Sequence, residues 1–108
     1  MKIAIPSTGK SLTSPVSDTL GRSPFLIVYD SSDGKYESIE NPGFQIQDGS
    51  GLKASDIVLK NNVDVLLTRE IGRKSYSALQ KEHVKIQLLK SSGTVKSSIN
   101  KYLKKTGI

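Results

Sequence analysis

Three stretches of this chain are almost unbroken apolar runs, and they set the narrowest limit on what it can fold into. They are KIAI at Lys2 to Ile5, FLIVYD at Phe25 to Asp30, and VDVLLT ending at Thr68. Runs of this kind are strands covered on both faces, which calls for helices on two sides of a sheet. Two further strands have a different character. KYESIE at Lys35 to Glu40 is mostly polar and suits a guarded edge. Val84 to Leu89 alternates Val84, Ile86 and Leu88 with Lys85 and Gln87, which suits the other edge.

Between and after these strands, helical spacing predicts three helices. Gly51 to Asn61 carries Ala54, Ile57 and Val58 on one face. Arg73 to Glu82 follows Asp64 to Thr68 and buries Ile71, Ala78 and Leu79. A last helix, capped by Thr94 and ended by Gly107, shows Val95, Ile99, Tyr102 and Leu103 as one stripe. SSDG at Ser31 to Gly34 is a hairpin turn, and NPG at Asn41 to Gly43 breaks the strand before it. Right-handed crossovers then predict an α/β fold. It has a five-stranded mixed sheet of order 3-2-1-4-5, strand 2 antiparallel to the rest, and helices on both faces.

At 108 residues the chain is expected to form a single domain, residues 1–108. It has no cysteine, so a disulfide framework, a thiolate metal site and a cysteine nucleophile are all excluded. The amino terminus, MKIAIPSTG, has an apolar run too short for a signal peptide or a membrane span, and a cytoplasmic location is expected. The net charge of +6 attracts anions of every kind without choosing among them.

The topology gathers most loops at one end of the sheet, the end where strand 1 finishes. The connections after Ser7, Asn41, Thr68 and Leu89 all lie there, and all three helices start there with backbone N–H groups pointing outward. Strands 1 and 4 are neighbours whose connections diverge, which makes the usual ligand crevice of open α/β sheets. His83, the one histidine, falls at the opposite end and reads as structural. Lys96, Lys101, Lys104 and Lys105 of the last helix read as a solvated face.

Three stretches at the loop end carry candidate chemistry. DGSGLKAS, Asp48 to Ser55, places two glycines before a helix, without the spacing of a Walker motif. TREIGRK, Thr68 to Lys74, crowds Arg69, Arg73 and Lys74 with Gly72 onto the mouth of a helix whose N-terminus is already electropositive. DTLGRSPF, Asp18 to Phe25, adds Gly21 and Arg22. The expected site is an anion cradle made of Ser7, Thr8, Gly9, Arg22, Gly49, Ser50, Gly51, Arg69, Gly72, Arg73 and Lys74. No carboxylate pair, nucleophile elbow or Ser–His arrangement diagnostic of catalysis is present, so a binder is expected rather than an enzyme.

The order and spacing of these stretches resemble the dinitrogenase iron–molybdenum cofactor biosynthesis family. The likeness rests on MKIAIPS, LGRSPFLIVYD, Asn41-Pro42, Gly49 to Gly51 with Ala54, VDVLLTREIGRKSYSAL and TVKSSINKYL. It covers nearly the whole chain. The resemblance implies a ribonuclease H-like fold without that enzyme's catalytic carboxylates. It also implies a carrier of an iron–molybdenum or iron–sulfur cluster precursor, bound non-covalently, with a cofactor-donor or acceptor protein as partner. The family pattern commonly reads GxIGPxA where this chain has Arg69 to Ser75, so charge replaces proline and small residues. Family members that ligate a cluster are expected to use Cys or His. This chain has no Cys, and its His83 is at the far end, which leaves charge-assisted hydrogen bonding of an anionic metal–sulfur species. The alternative is a nucleic-acid-binding or small-anion regulatory module. With six aromatics and no basic strip interleaved with them, nucleic acid is the weaker partner, and no membrane is expected.

Overall fold

The computed structural model describes residues 1–42, 50–90 and 93–106. Five strands and three helices follow in the order β1 (Lys2–Ser7), β2 (Phe25–Asp30), β3 (Tyr36–Glu40), α1 (Ser50–Lys60), β4 (Val65–Thr68), α2 (Arg73–Lys81), β5 (Lys85–Leu88) and α3 (Val95–Thr106). They make one mixed sheet of order β3-β2-β1-β4-β5. β2 runs antiparallel to β1 and β3, while β4 runs parallel to β1 and β5. This is the order and direction that strand character predicts. β1 is two residues longer than expected, because Pro6 and Ser7 still pair with Leu26 and Phe25 of β2. The helix stop expected at Gly107 lies outside the described residues, as do Asp48 and Gly49.

Period-two alternation divides the apolar runs between two cores. Ala4, Leu26, Val28 and Leu66 turn to one face, where Ala54 and Val58 of α1 and Leu79 of α2 cover them. Ile3, Ile5, Ile27, Val65 and Leu67 turn to the other, under Val95, Ile99 and Tyr102 of α3. Burying each of the larger side chains contributes about 1.5–3 kcal/mol. One face therefore carries two helices and the other only one.

The bottom of the sheet is closed by local hydrogen bonds. Asp30 accepts from the Ser32 hydroxyl at 2.6 Å and the Ser32 N–H at 3.0 Å, which holds its carboxyl below the ordinary value. α2 ends in a Schellman motif: His83 N–H donates to Gln80 C=O and Val84 N–H to Leu79 C=O, both at 3.0 Å. His83 occupies the left-handed position of that motif at φ 65°, exposed to solvent. This is the structural role its sequence position suggests. A side chain there costs about 1 kcal/mol relative to glycine. His83→Gly should accordingly raise stability by up to about 1 kcal/mol in urea unfolding, and a loss would show that the imidazole contributes a contact of its own.

At the top, the long loop after β1 is ordered by α3. Ser7 bridges Val16, and Pro15 bridges Thr94. The first free donors of α3 are used up in this way: Val95 N–H donates to Ser14 C=O at 2.9 Å and Lys96 N–H to Leu12 C=O at 2.7 Å. Thr94 and Ser97 complete a reciprocal capping box at 3.0 and 3.1 Å. Of the three helix N-termini at the top, α3's is therefore already occupied by the chain itself.

Candidate functional site

Parallel pairing of Ile3 with Val65 sets β1 beside β4, and their chains leave in opposite directions. Above that switch point lies a hollow of about 370 Å³, lined by three segments: Thr19 to Arg22, Ser50 to Leu52, and Gly72 to Ser75. The second and third are the first turns of α1 and α2. Neither helix has an acidic residue in its first turn, and Gly72, the N-cap of α2, offers no side-chain cap. Backbone donors and the positive ends of two helices thus face one cavity.

Three small residues let these segments meet. A Cβ on Gly21 would lie 2.7 Å from Gly51 N and 2.8 Å from Ser50 Oγ. A Cβ on Gly51 would overlap the Ser75 hydroxyl. The loop that carries Gly21 and Arg22 is held from behind by Asn41, only 4 % exposed. Its side-chain amide donates to Leu20 C=O at 3.0 Å and to Ser23 C=O at 2.9 Å. Ser23 Oγ donates to Leu20 C=O at 3.1 Å, so a run with no regular secondary structure is fixed by buried hydrogen bonds.

The lining is electrostatically one-sided. Arg22, Arg73 and Lys74 contribute cations, and no carboxylate is among the described lining residues. Ser75 is 3 % exposed, yet no hydrogen bond among the described residues engages its hydroxyl. That oxygen is not among the buried polar atoms without a partner, so it keeps solvent contact and is free to donate to a bound acceptor. Arginine forks and helix N-termini together suit an anion that presents several acceptor atoms.

Of the residues expected from sequence, the structure brings together Arg22, Ser50, Gly51, Gly72, Arg73 and Lys74. It does not bring Ser7, Thr8, Gly9 or Arg69 to this hollow. Ser7 is fully buried, its hydroxyl donating to Gly9 C=O at 2.7 Å and accepting from Gly9 N–H at 3.2 Å. Thr8 donates to Pro15 C=O through both its N–H and its hydroxyl. The physical reason is the demand of α3: the loop that would have cradled an anion is folded over to satisfy that helix. Arg69 instead pairs with Asp18, and Glu70 N–H donates to Asp18 C=O at 3.1 Å. Gly49 lies outside the described residues. Sequence reasoning missed Thr19, Ser75 and the clamp made by Asn41. The spacing Arg73-x-Ser75 was a signal for the second, since both fall in one helical turn; the others depend on tertiary contacts.

Among the described residues no group of three or more His, Asp or Glu side chains could hold a metal ion. No described helix is long and apolar enough to cross a membrane.

The sequence model described as dinitrogenase iron-molybdenum cofactor matches residues 1–105. Among solved structures, the apo form of the orange protein from Desulfovibrio gigas is similar, with a TM-score of 0.91 and 27 % identity over 96 % of this chain and 88 % of that one. A candidate NifB protein from Thermotoga, determined by NMR, has a TM-score of 0.84 and 32 % identity over 95 % and 87 % of the respective chains. No curated protein matches at a significant level.

Proposed function

The chain belongs to the dinitrogenase iron-molybdenum cofactor family, and from that premise we propose that it carries an anionic metal–sulfur cofactor, or a precursor of one, without transforming it. The observation that carries the reading is a hollow in which Arg22, Arg73 and Lys74 and the first turns of two helices meet, with no acidic residue in either first turn. The chain has no cysteine, and His83 sits at the opposite end of the sheet. The cargo therefore keeps its own sulfide shell and is held from outside by N–H and O–H donors. Among the described lining residues no histidine or carboxylate stands ready for proton transfer, which favours a carrier over an enzyme. The cargo reading also places a donor or acceptor protein on either side of the binding event. We assign the fold to the ribonuclease H-like class on the strength of its strand order and its single antiparallel insertion β2.

Titration of the anaerobically purified chain with tetrathiomolybdate tests the proposal. One equivalent is expected to bind, more weakly as salt is added, because exposed cations such as Arg73 and Lys74 are screened. His83→Ala should bind as the wild type does, being remote from the hollow. No binding at low salt, or binding lost in His83→Ala with the fold intact, would overturn it.

A further inference from the structure

The helices are distributed unequally, two on one face and one on the other, and α3 reaches only part of its face. Beside it a second hollow of about 460 Å³ opens between β5 and α3. Its apolar part is formed by Leu89 and Tyr102, and Leu88, on the edge strand beside it, is 52 % exposed. Its rim carries Lys90, Lys101 and Lys105 and no carboxylate. Lys85 adds a fourth cation, its ammonium 5.7 Å from the centre of the Tyr102 ring. Lysines that the sequence presents as a solvated face thus border one groove.

The groove also runs along a free strand edge. Lys85 N–H donates to Asp64 C=O at 3.0 Å and Leu89 N–H to Thr68 C=O at 2.8 Å, so these residues face β4. Alternation turns the N–H and C=O groups of Ile86 and Leu88 outward. The Gln87 side-chain amide already covers Leu88 C=O at 3.2 Å. Ile86 N–H, Ile86 C=O and Leu88 N–H have no partner among the described residues.

We propose that this groove docks an extended, acidic segment of a partner protein, which adds as a sixth strand to the free edge of β5. The segment's backbone supplies one donor and two acceptors for the outward groups of Ile86 and Leu88. An alternate apolar side chain seats on Leu89 and Tyr102, and carboxylates meet Lys90, Lys101 and Lys105. A nucleic-acid backbone fits less well, because a phosphodiester accepts hydrogen bonds and offers no donor for Ile86 C=O. A second copy pairing β5 with β5 would set the lysine rims of the two copies against each other, and one presenting the Glu37- and Glu40-bearing β3 would make a head-to-tail contact that does not close. This proposal is independent of the cargo site, and its failure leaves that site untouched.

The probe is a fluorescein-labelled ten-residue peptide of alternating glutamate and valine, with its reversed-charge lysine analogue as control. Anisotropy at low salt should show binding of the glutamate peptide only. Amide exchange of Ile86 and Leu88 should slow at least tenfold in the complex. The pair Lys101→Glu with Lys105→Glu, at solvent-facing positions, should weaken binding at least tenfold, while Lys53→Glu on α1 should not. Blocking alternate peptide amides by N-methylation should abolish binding. The proposal is overturned by no binding, by equal loss in Lys53→Glu, or by full affinity of the N-methylated peptide. Protection mapped away from β5 would overturn it too, as would tighter binding of an oligothymidylate at the same residues or self-association of the chain through β5 or β3.

Discussion

Gly51→Ala is expected to destabilise the fold by about 1–3 kcal/mol, and adding Ser75→Ala is expected to restore it. The new methyl group overlaps the Ser75 hydroxyl, while the Ser75 Cβ stands 3.6 Å away, an ordinary contact. Removing only the oxygen therefore clears the space. The restored variant should equal or exceed wild type, since alanine in a helix is favoured over glycine by about 0.5–1 kcal/mol. Gly21→Ala gives the harder case. Its Cβ would meet backbone, Gly51 N at 2.7 Å and Gly51 Cα at 3.0 Å, and a backbone inside α1 cannot step aside without moving the helix. No side-chain deletion rescues it. Gly72→Ala is the control: nothing lies within 4 Å of the added carbon, and φ is −72°, a conformation alanine adopts freely. Urea unfolding of the four variants decides the matter. A large loss in Gly72→Ala, or no recovery in the double variant, would mean that the three segments are not held together by the Gly21–Gly51–Ser75 contact.

Arg73→Ala should weaken tetrathiomolybdate at least tenfold, with the fold unchanged. Arg73 is exposed and begins α2, so its removal takes away charge without opening a cavity in either core. A charge-assisted hydrogen bond contributes about 1.5–3 kcal/mol, and ~1.4 kcal/mol is one decade in affinity. Arg73→Lys should retain part of the binding, because a point charge replaces the fork but not its paired geometry. Arg69→Ala provides the contrast. Its guanidinium is already committed to Asp18, so its loss should change affinity little. Equal affinities for wild type and Arg73→Ala would reduce the basic mouth of α2 to a solubility device.

Much of this architecture is legible in the residues. The unbroken runs of β1, β2 and β4 and the polar or alternating edges β3 and β5 already order the sheet, because burial on both faces leaves no other place for them. Once the order is known, crossover handedness puts the loops at one end and the lone histidine at the other. The cations Arg73 and Lys74 are likewise visible as a departure from what a helix start favours, and the hollow gathers them with Arg22 from the loop before β2.

What the tertiary structure alone decided is who uses which helix N-terminus. From sequence, α1, α2 and α3 are equivalent. In the fold, the Ser7 to Val16 loop gives its carbonyls to α3, Ser7 and Gly9 bond to each other, and Thr8 donates to Pro15 C=O. The two remaining N-termini approach through Gly21, Gly51 and Ser75, a contact among residues distant in the chain. Asn41 reads as a strand breaker until its amide is seen holding the Arg22 loop. Lys101 and Lys105 read as a solvated stripe until β5 is seen uncovered beside them. Periodicity reports which face of an element is buried, and so it dictates layers. Hydrogen-bond partners between loops depend on distances that no local pattern encodes, and the site is built from those.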